Sequence, residues 1–346
     1  MKVSTCGIDL AKAVFQIHGV DQHGKVCLRK QIKRAAMLTF FVRLEPCLIG
    51  MEACGSAHYW ARKLSEMGHT VRLIAPQFVK PYVKTNKNDV ADAEAICEAV
   101  SRPNMRFVPI KNLEQQALIA LHRARQGFVK ARTAQANQIR GLLSEFGIVM
   151  SKGICQVSKQ LANIGEHTEL PLPGSFRQLL TRLGEHLKEL DKQVGELERE
   201  IQLWHRGNEA SRKLAAIPGI GPITATALVA SIGDAKCFKS GRQLAAWLGL
   251  VPKQHSSGGK STLLGISKRG DCYLRTLLIH GARAVLRFAD NASTVKNVWL
   301  GQLVQRRNKN IAAVALANKN ARIVWALLVH DRMFRPDYAA THNVAA

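Results

Sequence analysis

Apolar positions in the first hundred residues come in short runs broken by turn residues, which predicts alternating strands and helices. Strands are expected near 3–9, 13–20, 25–32, 47–52 and 70–75, and helices near 36–44, 57–67 and 90–101, so this part reads as an α/β layer. From Leu113 to Phe146 the period becomes helical and the polar positions basic, with Arg123, Arg125, Lys130, Arg132 and Arg140 among alanines and leucines. Beyond Pro171 and Pro173, apolar residues recur at Phe176, Leu180, Leu183, Leu187, Leu190, Val194, Leu197, Ile201 and Trp204. The spacing alternates four and three, a heptad seam sustained for about four repeats. It predicts a coiled coil, either a hairpin with the 113–146 helix or an oligomerisation element; the pattern does not choose between them. Later helical patterns, including 294–307 and 310–333, predict an α-helical C-terminal region. No run approaches the roughly 20 apolar residues of a membrane span, and the N-terminus lacks the charged-then-apolar plan of a signal peptide.

Within this pattern four acids stand out. Val3 to Asp9 is a mostly apolar strand ending in a carboxylate, followed by a tight turn and a second β-rich run, Val14 to Val20, as at the start of an RNase H-like sheet. Cys47 to Glu52 repeats the arrangement, an apolar strand with an acid at its C-terminal end, where ligands of open α/β sheets bind. Asp89 and Asp92 stand three apart at the start of a predicted helix and so share a face. Hard cations such as Mg²⁺ take oxygen ligands, a few carboxylates supplemented by water and substrate phosphate, and two ions about 4 Å apart clamp both oxygens of a phosphoryl transfer. Singly, each acid is equally a turn residue, an N-cap or a favourable first-turn charge. The set is harder to explain as turn chemistry.

Charge changes the picture further. Lys and Arg number 50 against 25 Asp and Glu, a formal net charge of +25 and a pI near 10.1, a field that attracts phosphate backbones or anionic membranes. Without a spanning segment, nucleic acid is the better partner. The 346 residues, 47% of them hydrophobic, suffice for two or three domains with real cores. Eight scattered cysteines contain no C-x-x-C pair, and several lie in apolar runs, which reads as reduced, buried thiols of a cytoplasmic protein.

Three C-terminal segments carry further chemistry. Ile217-Pro-Gly219-Ile-Gly221-Pro between helical patterns resembles a helix-hairpin-helix turn, whose glycines and helix N-terminus receive a DNA phosphate, although a ligand-free glycine connection has the same sequence. The stretch from Leu244 to Ser261 leaves an apolar helix for a polar Ser256-Ser257-Gly-Gly loop flanked by Lys253, His255 and Lys260. Gly265 to Asp271 is another basic loop, with Lys268 and Arg269, running into a helix on which Arg275, Arg283 and Arg287 share a face. Leu274, Leu277, Leu278, Val285 and Leu286 form its expected core side.

Read together, these strings resemble the IS110-type insertion-sequence transposases, in particular the IS1111-like group. The resemblance rests on G-I-D-L-A-K from Gly7, G-M-E-A from Gly50, N-K-N-D-V-A-D-A from Asn86, I-P-G-I-G from Ile217, and L-G-L-V-P-K-Q-H-S-S-G-G-K through G-I-S-K-R-G-D to Asp271, in this order and spacing. It implies a RuvC-like α/β domain over 1–108 with an Asp-Glu-Asp-Asp tetrad at Asp9, Glu52, Asp89 and Asp92, then a helical, coiled-coil region over 109–208. It implies also a C-terminal α-helical domain over 209–335 with a catalytic serine, and a flexible tail over 336–346. The serine falls on Ser257, with Ser256 as the nearest rival. Also implied are Mg²⁺ (or Mn²⁺) at the tetrad, donor and target DNA, a structured noncoding guide RNA, and a homo-oligomer, dimer or tetramer, in a bacterial cytoplasm in association with the nucleoid. Nucleic-acid contacts are expected at Gly219, Gly221, Lys253, Lys260, Lys268, Arg269 and Arg275. Two rival readings share parts of this pattern: a RuvC-like endonuclease that hydrolyses DNA with metal-activated water and leaves Ser257 idle, and a non-catalytic nucleic-acid-binding protein whose acids are structural.

Overall fold

The computed structural model describes residues 2–84, 88–166, 171–289 and 298–335. The expected tail over 336–346, Asn86 and Lys87 of the N-K-N-D string, and the first residues of the 294–307 helical pattern lie outside them. The chain divides into two compact units, one of residues 1–115 with 232–234 and one of 116–231 with 235–346.

The first unit is built on strands β1 (Thr5–Leu10), β2 (Val14–Val20), β3 (Val26–Lys33), β4 (Leu48–Glu52), β5 (Thr70–Ile74) and β6 (Phe107–Val108). They form one six-stranded sheet in the order β3-β2-β1-β4-β5-β6. The first three strands pair antiparallel, while β1, β4 and β5 run parallel. Its helices are α1 (Met37–Val42), α2 (Ala57–Glu66), α3 (Pro76–Val79) and α4 (Asp89–Val100). One face buries Ile8, Phe15, Ile17, Ile49 and Met51 with Phe41 of α1 and Trp60, Ala61 and Leu64 of α2. On the other face α4 packs Ala95, Ile96, Ala99 and Val100 with Ile74 and Val79.

Two glycines set how close α4 comes. Gly7 and Gly50 are register partners on neighbouring parallel strands. A Cβ on Gly7 would stand 2.2 Å from the Ala93 carbonyl oxygen and 2.4 Å from the Cys97 nitrogen, and one on Gly50 would stand 2.8 Å from the Val100 Cβ. The helix backbone therefore lies directly on these bare positions. Ala93 over Gly7, with Cys97 Sγ 3.7 Å from the Thr5 carbonyl oxygen, fixes the polarity of α4. Its N-terminus points toward the C-terminal ends of β1 and β4.

The second unit starts with α5 (Leu113–Ser144), α6 (Ile154–Glu166), α7 (Gly174–Gly207), α8 (Glu209–Ala215), α9 (Pro222–Ile232) and α10 (Gly241–Trp247). It continues with β7 (Pro252–Ser257), β8 (Lys260–Ile266), α11 (Cys272–Ala289), α12 (Val298–Arg306) and α13 (Lys309–His330). Leu180, Leu187, Leu190, Val194 and Ile201 of the heptad seam are buried. Leu118 clusters with Ile201, and Ala136, Ile139 and Leu143 with Leu180 and Leu187, so α5 and α7 run antiparallel as a hairpin within one chain. Arg125 donates to Glu198 (Nε–Oε1 2.9 Å) and Arg132 to Asp191 (2.9 Å) along the same pairing. The basic residues of α5 are thus partly spent on acids of α7.

One helix departs from the expectation that no apolar run reaches spanning length: α13, with 22 residues, is long and apolar enough to cross a membrane. Its Ala312, Ala313, Leu316, Ala317, Ala321, Val324 and Leu327 are buried within the unit, and Asn320 Nδ2 donates to the Pro218 carbonyl oxygen at 2.9 Å. None of the eight cysteines is in a disulfide, and Cys54, Cys155, Cys237 and Cys272 are exposed where the sequence suggested burial.

Candidate active site

Asp9 and Glu52 are each two residues beyond a glycine that α4 covers. Side chains two apart in a strand share a face, so Asp9 lies on the face of Gly7 and Glu52 on that of Gly50, the face that α4 covers. Ile8 pairs with Met51 in the parallel ladder, so the next residues, Asp9 and Glu52, are side by side at the strand ends. Both are half-buried. The Cys54 thiol, in the turn that follows, belongs to a residue exposed as a whole, but the sulfur is partly screened from water. This desolvation first, then the Glu52 and Asp9 carboxylates, pushes its pKa above the ordinary value.

Asp89 and Asp92 form the first turn of α4, with Asp89 exposed and Asp92 half-buried. The capping role that a lone acid here would fill belongs to Asn88, whose Oδ1 accepts from the Ala91 N–H at 2.8 Å. Asp89 is therefore released from cap duty, and both acids sit where the helix dipole favours negative charge. Backbone geometry thus gathers four carboxylates at one edge of the sheet. Among the described residues no three His, Cys, Asp or Glu side chains stand together closely enough to hold an ion. The donor set itself, carboxylate oxygens from two strand ends and one helix start, fits a hard divalent cation. A recess of about 700 Å³, lined by Lys2, Ser4, Asp21 and Thr70, lies at the opposite, N-terminal ends of these strands and holds none of the four.

The turn after Glu52 is strained. The Cys54 N–H donates back to the Glu52 carbonyl at 2.8 Å, and Ser56 adopts φ 65°, a left-handed conformation rare for serine. Such outliers cluster at functional sites. Nothing in the sequence marks Ser56 beyond the neighbouring Gly55.

Ser257 belongs to the second unit. Its segment, expected as a loop, is a β-hairpin: Ser257 pairs with Lys260 across Gly258 and Gly259, whose φ of 55° and 77° are those of a two-residue type I′ turn. Every residue from Pro252 to Gly265 is exposed, Ser257, Ser256, Lys253 and Lys260 included. Ser256 Oγ accepts from Gln254 Nε2 at 2.8 Å.

The Lys268-Arg269-Gly270 turn is fastened to the end of α10. The Lys268 N–H donates to the Gly249 carbonyl at 3.1 Å, and a Cβ on Gly249 or Gly270 would come within 2.0 Å of the Arg269 or 1.9 Å of the Trp247 carbonyl oxygen. Lys268 takes φ 54°; it and Arg269 are exposed. Arg275 differs from its predicted face-mates. Arg283 and Arg287 are exposed, but Arg275 is only 8% exposed, and its Nη1 donates to the Leu248 (3.2 Å) and Arg269 (3.3 Å) carbonyls. Its guanidinium holds the basic turn from behind. Asp271 caps α11, its Oδ1 accepting from the Tyr273 (2.7 Å) and Leu274 (3.1 Å) N–H groups.

Gly219 and Gly221 part company. Gly219, φ 87°, lies against Gly281 of α11: a Cβ on Gly219 would be 2.8 Å, and one on Gly281 1.8 Å, from the other's carbonyl oxygen. Close helix packing accounts for that glycine, while Gly221 faces open space at the start of α9. A buried chain missed by sequence reading adjoins this region. His122 of α5 bonds Tyr273 Oη at 2.9 Å through Nδ1 and Thr226 Oγ1 at 3.0 Å through Nε2. Burial, then the Arg125 charge, lowers the His122 pKa to about 4.

Comparison with known proteins bears on both units. Residues 6–148 match a DEDD-type IS110 transposase domain, and residues 211–297 match the domain described as "Transposase IS116/IS110/IS902 family". A probable family 20 transposase of Pseudomonas aeruginosa is 56% identical over 97% of this chain and 100% of its own length. The transposase for insertion sequence element IS1328 of Yersinia enterocolitica is 47% identical over 96% and 98%. The transposase for insertion sequence element IS1111A of Coxiella burnetii is 46% identical over 96% and 92%.

Proposed function

The chain belongs to the IS110 family of insertion-sequence transposases, with IS1111-like relatives, and from that membership we propose that it cuts and rejoins DNA strands through a covalent phosphoserine. The observation that carries this reading is the side-by-side placement of Asp9 and Glu52 at parallel strand ends, with Asp89 and Asp92 in the first turn of the helix laid over them. A structural role alone gives no reason for four half-buried or exposed acids to share one edge in a chain of net charge +25. Asp9, Glu52, Asp89 and Asp92 are the residues that would hold Mg²⁺. When bound, the ion supplies charge stabilisation at the scissile phosphate.

Ser257 is the proposed nucleophile. Its Oγ attacks the phosphorus and gives up its proton, the bond from phosphorus to the leaving sugar oxygen breaks, and that oxygen takes a proton to become a free hydroxyl. The phosphoserine ester keeps the bond energy, so the hydroxyl of another strand can attack it, release Ser257 and complete the exchange without ATP. Lys253, Lys260, Lys268 and Arg269 are proposed to hold backbone phosphates around the serine, with Arg275 supporting the turn that carries two of them and Gly221 at an open helix start. A structured guide RNA from the element would specify donor and target by base pairing, leaving the protein to grip shape and backbone. Action as a dimer or tetramer, in the cytoplasm on nucleoid DNA, belongs to the same proposal, as does the division into a 1–108 metal-binding domain, a 109–208 helical connection and a 209–335 serine domain.

The test incubates the full-length protein with Mg²⁺, its guide RNA and end-labelled DNA and resolves the products on a denaturing gel. The expected result is a protein-linked DNA band that disappears in Ser257→Ala and in Asp9→Asn. Persistence of the band in Ser257→Ala overturns the nucleophile assignment, and cleavage without such a band replaces strand exchange by hydrolysis.

A further inference from the structure

The register of the first sheet extends the acid edge sideways. Asp9 on β1 pairs with Gln16 on β2, and Gln16 pairs with Gln31 on β3. Paired residues project to the same side of a sheet, so Glu52, Asp9, Gln16 and Gln31 form one row on the α4 face. Along β3 the same face carries Arg29 and Lys33, two residues to either side of Gln31. Arg29, Gln31 and Lys33 are exposed, and Gln16 is half-buried. The ion pairs of the first unit's described residues engage Lys2, Lys63, Lys84 and Arg102, leaving Arg29 and Lys33 outside them.

On the opposite face the cations of this strand region are differently used. Lys30 lies over the Phe40 ring at 5.3 Å, and Arg34 over Phe15 and Trp60. The α4 face alone therefore offers two amide side chains in line with the acids and two flanking cations without anions. Two strand spacings, about 10 Å, separate Asp9 from Gln31, a span of one or two nucleotides. Amides hydrogen-bond sugar or base edges, and cations hold phosphates. The acidic groups on this face are Asp9 and Glu52 themselves, Asp89 and Asp92 in the first turn of α4, and Glu94 of α4 near His18.

We propose that the DNA strand entering the acid site lies as a single strand across β2 and β3, gripped by Gln16 and Gln31 and by Arg29 and Lys33 at the flanking phosphates. Charge complementarity selects the occupant. This surface rests on the reading of the acids as the strand-cutting centre, for it supplies the strand they would cut.

A photo-crosslinking amino acid is installed in the full chain in place of Gln31, or in place of Lys63 on α2 against the other face, and irradiated with a labelled single-stranded oligodeoxynucleotide in EDTA. Position 31 is expected to give an adduct about fivefold stronger than position 63, and Arg29→Glu with Lys33→Glu to reduce it about fivefold, the loss expected from two phosphate contacts. Lys2→Glu with Lys63→Glu, an equal charge change elsewhere, leaves the adduct intact. Equal adducts from both positions, insensitivity to the Arg29 and Lys33 reversal, or an adduct with an oligoribonucleotide alone overturns the proposal. Asp9→Asn separates the two readings: normal DNA cleavage in Mg²⁺ by that variant sinks the metal site, while its adduct in EDTA reports on the strip by itself.

Discussion

At the scale of single residues, the absent side chains shape the site as much as the charged ones. Gly7 is needed because Ala93 and Cys97 backbone atoms occupy the space of its missing Cβ. Backbone cannot rotate aside, so a methyl there must lift α4 off β1, moving Asp92 away from Asp9. Gly7→Ala is expected to destabilise the first unit by about 3 kcal/mol, the upper range of overpacking costs, and to lower DNA cleavage more than Gly55→Ala, whose Cβ would meet nothing within 4 Å. Denaturant midpoints and cleavage rates measured in parallel check it, and an unchanged midpoint refutes the packing account. The G-I-D string displays this residue plainly, but only the structure explains why glycine precedes the acid by two: the same face must admit a helix at one position and a carboxylate at the next.

At the scale of elements, α5, α9 and α11 meet in the His122 chain. Thr226 Oγ1 lies 2.8 Å from the Pro222 carbonyl oxygen, to which its hydroxyl donates, so it accepts from His122 Nε2–H, and Nδ1 is left to accept from Tyr273 Oη. A second proton on His122 has no acceptor in this arrangement. The unfolded chain binds that proton near pH 6.5, the folded one only near pH 4. Stability of the second unit is thus full above pH 6.5 and declines as pH falls toward 4, by on the order of 3 kcal/mol. Denaturant titrations across this window should show the decline, and His122→Gln should flatten it; an equal slope in both proteins removes His122 as the cause. Neither this chain nor the inward turn of Arg275 was legible in the sequence, because each depends on partners up to 151 residues away or on carbonyls at a helix end. Strands β1 to β5 were legible within a residue or two, since short apolar runs bounded by turn residues are a local signal, whereas β6, only two residues long, was not. The β7–β8 hairpin was not: its residues are exposed on both faces, so no alternation betrays it, and Gly258-Gly259 read as a loop. The heptad of α7 announced a partner without naming it, and packing against Ala136, Ile139 and Leu143 names α5.

At the scale of the whole molecule, charge and chemistry are carried by different residues, and they should separate by experiment. A net +25 spread over both units attracts a phosphate backbone regardless of sequence or metal, whereas the four carboxylates, acids in a basic chain, weaken that attraction until a cation neutralises them. DNA binding should therefore persist in EDTA and fall steeply with salt. If six or more phosphates are contacted, the log–log slope is about −5 or steeper and affinity drops about a thousandfold between 50 and 200 mM salt. Strand cleavage should vanish in EDTA and return with Mg²⁺ or Mn²⁺, because the carboxylates that would hold the ion have no substitute for it. Fluorescence anisotropy over a salt series and gel assays on the same samples measure both quantities. Loss of binding and cleavage together on chelation would mean that the acids organise the nucleic-acid surface rather than its chemistry; cleavage that survives chelation would leave them without a catalytic role.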